Sequence, residues 1–203
     1  AAVAEAMRLA VIDLTTARHR LAIHRVAADA AERLATRLRD TLGFDVHTPV
    51  ARPGQLIIAA PIAQIPRALL DGGLFIVEPT APADSTTLWS LDPTPALDGR
   101  AIATAAADID SEGAAVELTF TDAGTVAMKA LSEATRGTHL VILVDGAFAL
   151  APRVIERVSH SLRLELPPAA GLDARALARA IAASNLDDPP TLVTSEARCL
   201  PTP

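Results

Sequence analysis

A switch in the spacing of apolar residues constrains this chain more than any single residue does. From Ala27 to Leu42 the apolar positions are 27, 31, 34, 38 and 42, one face of a helix, and Gly43 follows where a left-handed cap is favoured. On both sides the period falls to two. Leu21 and Ile23 alternate with Arg20, Ala22 and His24 in a strand over 19–25, and the apolar-rich residues 7–14 read as a further strand. Residues 44–50 and 55–60 are short apolar runs split by Arg52, Pro53 and Gly54, a hairpin pattern. Ile62, Ile65, Leu69 and Leu70 return to helical spacing over 62–70, Gly72 and Gly73 stop them, and 74–77 makes a last buried strand. The order from residue 19 is therefore β-α-β-β-α-β. With right-handed crossovers it predicts a ferredoxin-like base, an antiparallel sheet with both helices on one face.

The chain divides at residues 79–98, where Pro79, Pro82, Pro93, Pro95 and Ser85 gather between periodic blocks. This gives a base over 1–78, a connection over 79–98, a head over 99–186 and a proline-rich tail over 187–203. In the head, Val116, Leu118 and Phe120 alternate with Glu117 and Thr119. Thr121 then caps a helix with apolar positions 123, 126, 127, 130, 131 and 134, which Gly137 ends. Leu140–Val144 and Ala147–Leu150 flank Asp145-Gly146, a two-residue hairpin loop in which both positions need positive φ. Leu162, Leu164 and Leu166 form another strand, and Asp173 caps a helix that turns Ala174, Leu177, Ala178 and Ile181 inward. The fold class is α+β, with a second α+β subdomain that packs its own core.

Composition narrows the function. Half of the 203 residues are apolar, enough to bury a core. The formal net charge of −6 argues against nucleic acid and anionic lipid as partners, and one Trp, four Phe and no Tyr leave little on which bases could stack. No apolar stretch reaches the roughly 18–20 residues that a membrane span requires. Cys199 is alone and cannot close an internal disulfide, so cysteine does not separate cytoplasm from periplasm. Ala1–Ala6 lack the charged and apolar regions of an intact signal peptide, as a processed N-terminus or a trimmed chain would.

Candidate chemistry is thin. Ser159-His160-Ser161 sets a nucleophile type beside a base, but neighbours on a strand point to opposite faces. His19, His24, His47, His139 and His160 show no metal-ligand spacing, and they read as surface or hydrogen-bonded side chains. Gly72-Gly73 lacks the strand-to-helix setting of a phosphate cradle. Asp122 and Asp173 belong to helix starts, Asp145 to its turn and Asp187-Asp188 to the tail. Arg8, Arg18, Arg20, Arg25, Arg33, Arg37 and Arg39 concentrate in the first forty residues as a solvated face. No catalytic residue, metal site or cofactor is predicted, and no polypeptide-binding residue can be singled out.

Three segments carry a resemblance. Val116-Glu117-Leu118-Thr119-Phe120-Thr121-Asp122-Ala123-Gly124, then Leu143-Val144-Asp145-Gly146, then Ala151-Pro152-Arg153-Val154 resemble the head of the first periplasmic (P1) domain of the SecD family. That pattern is a strand ending in Phe before a helix with an early Gly, an apolar strand into Asp-Gly, and a following Ala-Pro. Gly73-Leu74-Phe75 is similar to a corresponding piece of the family's base. The chain departs from the pattern at Val158-Ser159-His160-Ser161-Leu162, where the family has a glycine-rich strand, and it carries none of the family's transmembrane segments. The resemblance implies protein export, a periplasmic or otherwise extracytoplasmic location, and a non-catalytic module that contacts unfolded or exported polypeptides and an export membrane complex. Two alternatives stay open: a stand-alone envelope adaptor unrelated to export, and a small serine hydrolase using Ser159 or Ser161. Movement of head against base about the 79–98 connection is a further expectation.

Overall fold

A computed structural model describes residues 21–70, 73–79, 82, 84–111, 113–166 and 173–183. The strand expected over 7–14 and the tail from 187 lie outside these residues. Strand β1 (Leu21–Arg25) leads into helix α1 (Ala28–Leu42) and the hairpin of β2 (Val46–His47) and β3 (Gln55–Ile58). A 3-10 turn at Ile62–Gln64, helix α2 (Arg67–Leu70) and β4 (Leu74–Glu78) follow. The order β-α-β-β-α-β is thus realised along the chain. The helix expected over 62–70 is broken into two pieces around Pro66, which has no N–H to continue it. Gly43 caps α1 at φ 66, its N–H and that of Phe44 returning to the carbonyls of Arg39 and Leu38.

Beyond β4 come β5 (Thr86–Leu91), β6 (Leu97–Asp98), a 3-10 turn at Gly99–Ala101, β7 (Ile102–Ile109) and β8 (Ala114–Phe120). Helix α3 (Asp122–Ala134), β9 (Leu140–Val144), β10 (Ala147–Leu150), β11 (Ser161–Leu166) and helix α4 (Ala174–Ala182) complete the described chain. The class is α+β, and every strand pair is antiparallel.

The sheets correct the expected division. The base sheet has the order β2-β3-β5-β4, so one of its two inner strands comes from the stretch 79–98 that had read as a connection. Prolines mark the ends of that stretch, but Thr86-Thr87-Leu88-Trp89-Ser90-Leu91 is a β-favouring run between them, with Trp89 fully buried. Strand β1 instead joins a second sheet, β10-β9-β1-β6, and Val26 at its end bridges Leu91 of β5. The head does not pack a core of its own either, because Leu21 and Ile23 of β1 are part of it. A third sheet, β11-β8-β7, carries α4 across it.

Packing follows a layered order. Helix α1 turns Ala31, Leu34, Ala35 and Leu38 onto one face of the base sheet, against Val46, Leu56, Ile58, Phe75 and Leu88. The opposite face offers Leu74, Ile76, Trp89 and Leu91 to Val141 and Leu143 of the β1–β9 pair, with Ala22 and Val26 packed beside them. Behind that pair lies the head core, including Phe120, Met128, Leu164 and Ile181. The indole N–H of Trp89 donates to Glu78 Oε2 at 2.8 Å, and Gln55 Nε2 donates to the same oxygen at 2.9 Å. That removes the cost of burying an unpaired indole donor.

Helix α3 departs from its expected phase. Its buried residues are Gly124, Met128, Leu131 and Ser132, and Val126 is 70% exposed, so of the six apolar positions expected to face inward only Leu131 is buried. Gly124 decides the rotation: a Cβ there would lie 2.1 Å from the carbonyl oxygen of Ala101, so only glycine lets the first turn approach that backbone. Thr121 caps the helix as expected, its hydroxyl accepting from the Gly124 N–H at 3.0 Å.

Two predictions follow from these backbone demands. Gly124→Ala should lower the urea midpoint by the equivalent of about 1–3 kcal/mol, although alanine is the better helix former by roughly 1 kcal/mol; an unchanged midpoint would mean that α3 does not need this approach. Asp145 and Gly146 sit at φ 51 and 75, as the hairpin loop requires. Gly146→Val should therefore cost about 1 kcal/mol or more and Asp145→Asn far less, both read by thermal unfolding.

Candidate functional site

The head carries a groove of about 620 Å³ between the segment 151–159 and strand β11. Met128, Leu140, Leu150, Val154 and Leu164 supply its apolar lining. Main-chain bonds fix the outer wall: Leu140 N donates to Pro152 O at 3.1 Å, Val154 N to Thr138 O at 2.8 Å and Gly137 N to Val154 O at 2.7 Å. Ser132 holds the far end, its hydroxyl accepting from the Val158 N–H at 3.0 Å. On the rim, Ile155 is 74% exposed with Glu156 and Arg157 beside it.

The inner wall is a strand edge. β11 is the outer strand of its sheet and pairs only with β8 among the described residues. Phe120 N donates to His160 O, and hydrogen-bonded pairs alternate in an antiparallel ladder, so the bonded pairs continue at Leu162–Leu118 and Leu164–Val116. The N–H and C=O groups of Ser161, Arg163 and Glu165 therefore point the other way, away from β8. An extended chain laid there would find main-chain partners and an apolar floor together.

The residues singled out from sequence are scattered. Ser159, His160 and Ser161 are all exposed, and among the described residues no hydrogen bond joins either serine to a histidine. His47 is exposed on β2, whereas His24 is buried, with its Nδ1 2.8 Å from the carbonyl oxygen of Asp92. His139 is neither on the surface nor hydrogen-bonded through Nδ1, which corrects the expectation for it: it is 7% exposed, its Nδ1 is buried without a partner, and its ring lies 5.6 Å from that of Trp89. Burial pushes both imidazoles below their ordinary range, His139 further through the charges of Arg52 and Arg153.

Asp173 caps α4 by accepting from the N–H groups of Arg175 and Ala176. Arg37 and Arg39 are not merely solvated, since they donate to the carbonyls of Ala68 and Val46 and tie α1 to its neighbours. Arg163 pairs with Asp108 and Asp110 across the third sheet. His19, Arg8, Arg18, Arg20, Gly72, Asp187, Asp188 and Cys199 lie outside the described residues. Among the described residues no group of three or more His, Cys, Asp or Glu side chains could hold a metal, and no helix is long and apolar enough to cross a membrane.

A family model for the P1 head subdomain of SecDF matches residues 77–186, more than half of the chain. The chain belongs to that family. The three segments that carried the resemblance all lie within 77–186: Gly124 at the close approach to Ala101, the Asp145-Gly146 turn, and the Ala151-Pro152 start of the groove wall. Solved structures with likeness to this chain include SecDF in a super-membrane-facing form, 22% identical with a TM-score of 0.45, over 85% of this chain and 20% of that one. A membrane component SecDF that enhances protein export is 22% identical with a TM-score of 0.43, over 83% and 63%. The translocon-associated membrane protein SecDF from Thermus thermophilus is 16% identical with a TM-score of 0.40, over 92% and 34%. The chain thus spans less than two thirds of each. Among curated proteins none matches it.

Ser159 and Ser161 are exposed and bond no histidine among the described residues. A fluorophosphonate probe should modify neither serine by intact-mass spectrometry, and a stoichiometric adduct on either one would reveal an activated nucleophile.

Proposed function

We propose that this chain is a non-catalytic, extracytoplasmic module that contacts polypeptides during or after export, in association with an export membrane complex. The observation that carries the reading is the edge of β11, unpaired on its outer side among the described residues, running along the apolar groove of a SecDF-type head. Main-chain pairing is indifferent to side-chain identity, so such an edge suits clients of varied sequence. Apolar lining residues add loose side-chain contacts. The affinity is modest, because ordering an unfolded segment offsets much of the gain. With a net charge of −6 the chain favours basic clients, more so at low salt.

The packing of the joint bears on how such a site works. The base and head share β1 and an apolar seam around Trp89, and this shared packing supports a platform that displays the site in one orientation.

Titration with a labelled unfolded polypeptide should give weak, salt-sensitive binding, with none to a folded control. Ser161→Pro removes an outward N–H at the first residue of an edge strand, a position where proline is tolerated, and Ile155→Asp places a charge on the rim. Both variants should weaken binding several-fold with the unfolding midpoint unchanged. Absence of binding at high micromolar protein would reject the polypeptide reading and favour an envelope adaptor.

A further inference from the structure

The histidines at 24 and 139 occupy one surface. Residues 22, 24 and 26 of the β1 strand share the face that meets the base sheet, as do 139, 141 and 143 of the β9 strand. Ala22 pairs with Leu143 and His24 with Val141, and the same register sets His139 opposite Val26. Both imidazoles therefore lie on the seam that otherwise consists of Leu74, Ile76, Trp89, Leu91, Val141 and Leu143. His24 is 3% exposed and holds the Asp92 carbonyl, while His139 touches Trp89 and leaves one ring nitrogen buried and unbonded.

We propose that this seam is an acid-sensitive latch, in which protonation of His24 and His139 loosens the base from the head while each keeps its own helix-covered core. The groups around them decide the sign. Desolvation disfavours a proton on His24 and outweighs both the hydrogen bond to the Asp92 carbonyl and the charge of the Asp92 carboxylate, which favour it. Around His139 stand Arg52 from the β2–β3 loop and Arg153 from the groove wall, both opposing a proton, while Glu78 is engaged by Trp89 and Gln55. Burial holds both imidazoles neutral at neutral pH. In an opened seam they regain an ordinary pKa of about 6.5. The open state therefore binds more protons over the interval between the lowered and the ordinary value. The closed state keeps its full advantage above about pH 6.5 and loses it as pH falls below that. The latch stands independently of the polypeptide reading.

Trp89 is the only tryptophan in the chain and lies in the seam, so its emission reports the latch directly. On the full chain, lowering pH from about 7.5 to about 5, across the ordinary histidine range, should red-shift Trp89 emission and raise its acrylamide quenching while far-UV circular dichroism stays constant. His24→Gln with His139→Gln should flatten that response, and Glu78→Gln should not. Should the double variant fail to fold, hydrogen exchange of the Asp92 amide, which donates to the Arg25 carbonyl across the seam, should rise at the lower pH in the unsubstituted chain, corrected for intrinsic pH dependence, while that of Val141 inside the head sheet stays slow. Emission and exchange independent of pH would overturn the proposal. So would an unchanged response in the double variant, loss of the response in Glu78→Gln, or loss of helical signal together with the emission change.

Discussion

Everything in this structure depends on the way strand β1 is shared. Its five residues pair with β9 and β6, and its last bridge goes to β5 of the base sheet. Leu21 and Ile23 point one way into the head core, and Ala22, His24 and Val26 point the other way onto the base. A strand whose alternate side chains are buried in different cores cannot shift by one residue without exchanging the two sets. The register of β1 is therefore over-determined, and with it the placement of head on base. Trp89 adds the largest buried side chain to the same contact, its one donor bonded to Glu78.

The head shows how a local backbone requirement can override side-chain periodicity. The apolar pattern of α3 would rotate Val126 and Ala127 inward, yet the helix turns Gly124 and Met128 inward instead. The difference is the carbonyl of Ala101, which occupies the space a Cβ at 124 would need and which also accepts from the Thr121 N–H at 2.9 Å. Helix α3 is pinned at its first turn by the 3-10 turn before β7, and Ser132, one of its buried residues, reaches the groove wall at Val158.

Much of the fold was legible where a single period dominates. Helix α1 with Gly43, the Asp145-Gly146 turn, the Thr121 cap, and α4 with Asp173 and its four inward residues all follow from local chemistry. The strands β5, β6 and β7 did not, for two physical reasons. Prolines at 79, 82, 93 and 95 sit at strand ends, where they are compatible with a sheet, and their density masked the six-residue run between them. Strand β7 is built largely of alanine and gives no alternation of hydrophobicity, its pattern being set by neighbours rather than by its own side chains. Sheet membership was illegible for β1 because its two faces are both apolar, and nothing local says which partner each face finds. The groove was missed for the same reason, since a strand edge is a property of topology and not of residue type.

The seam and the groove meet at one point in the chain. His139 bridges Arg153, and the residues on either side of His139 bond the main chain of Pro152 and Val154, which wall the groove. The backbone that shapes the groove is therefore held within one ladder step of His139 in the seam. Coupling between two such sites is reciprocal. If a polypeptide binds the groove better when the seam is closed, then acid weakens that binding, and an occupied groove in turn holds the two histidines neutral to lower pH. The size of that coupling is bounded by the difference in affinity between the closed and open seam, since a ligand that binds both states equally shifts neither.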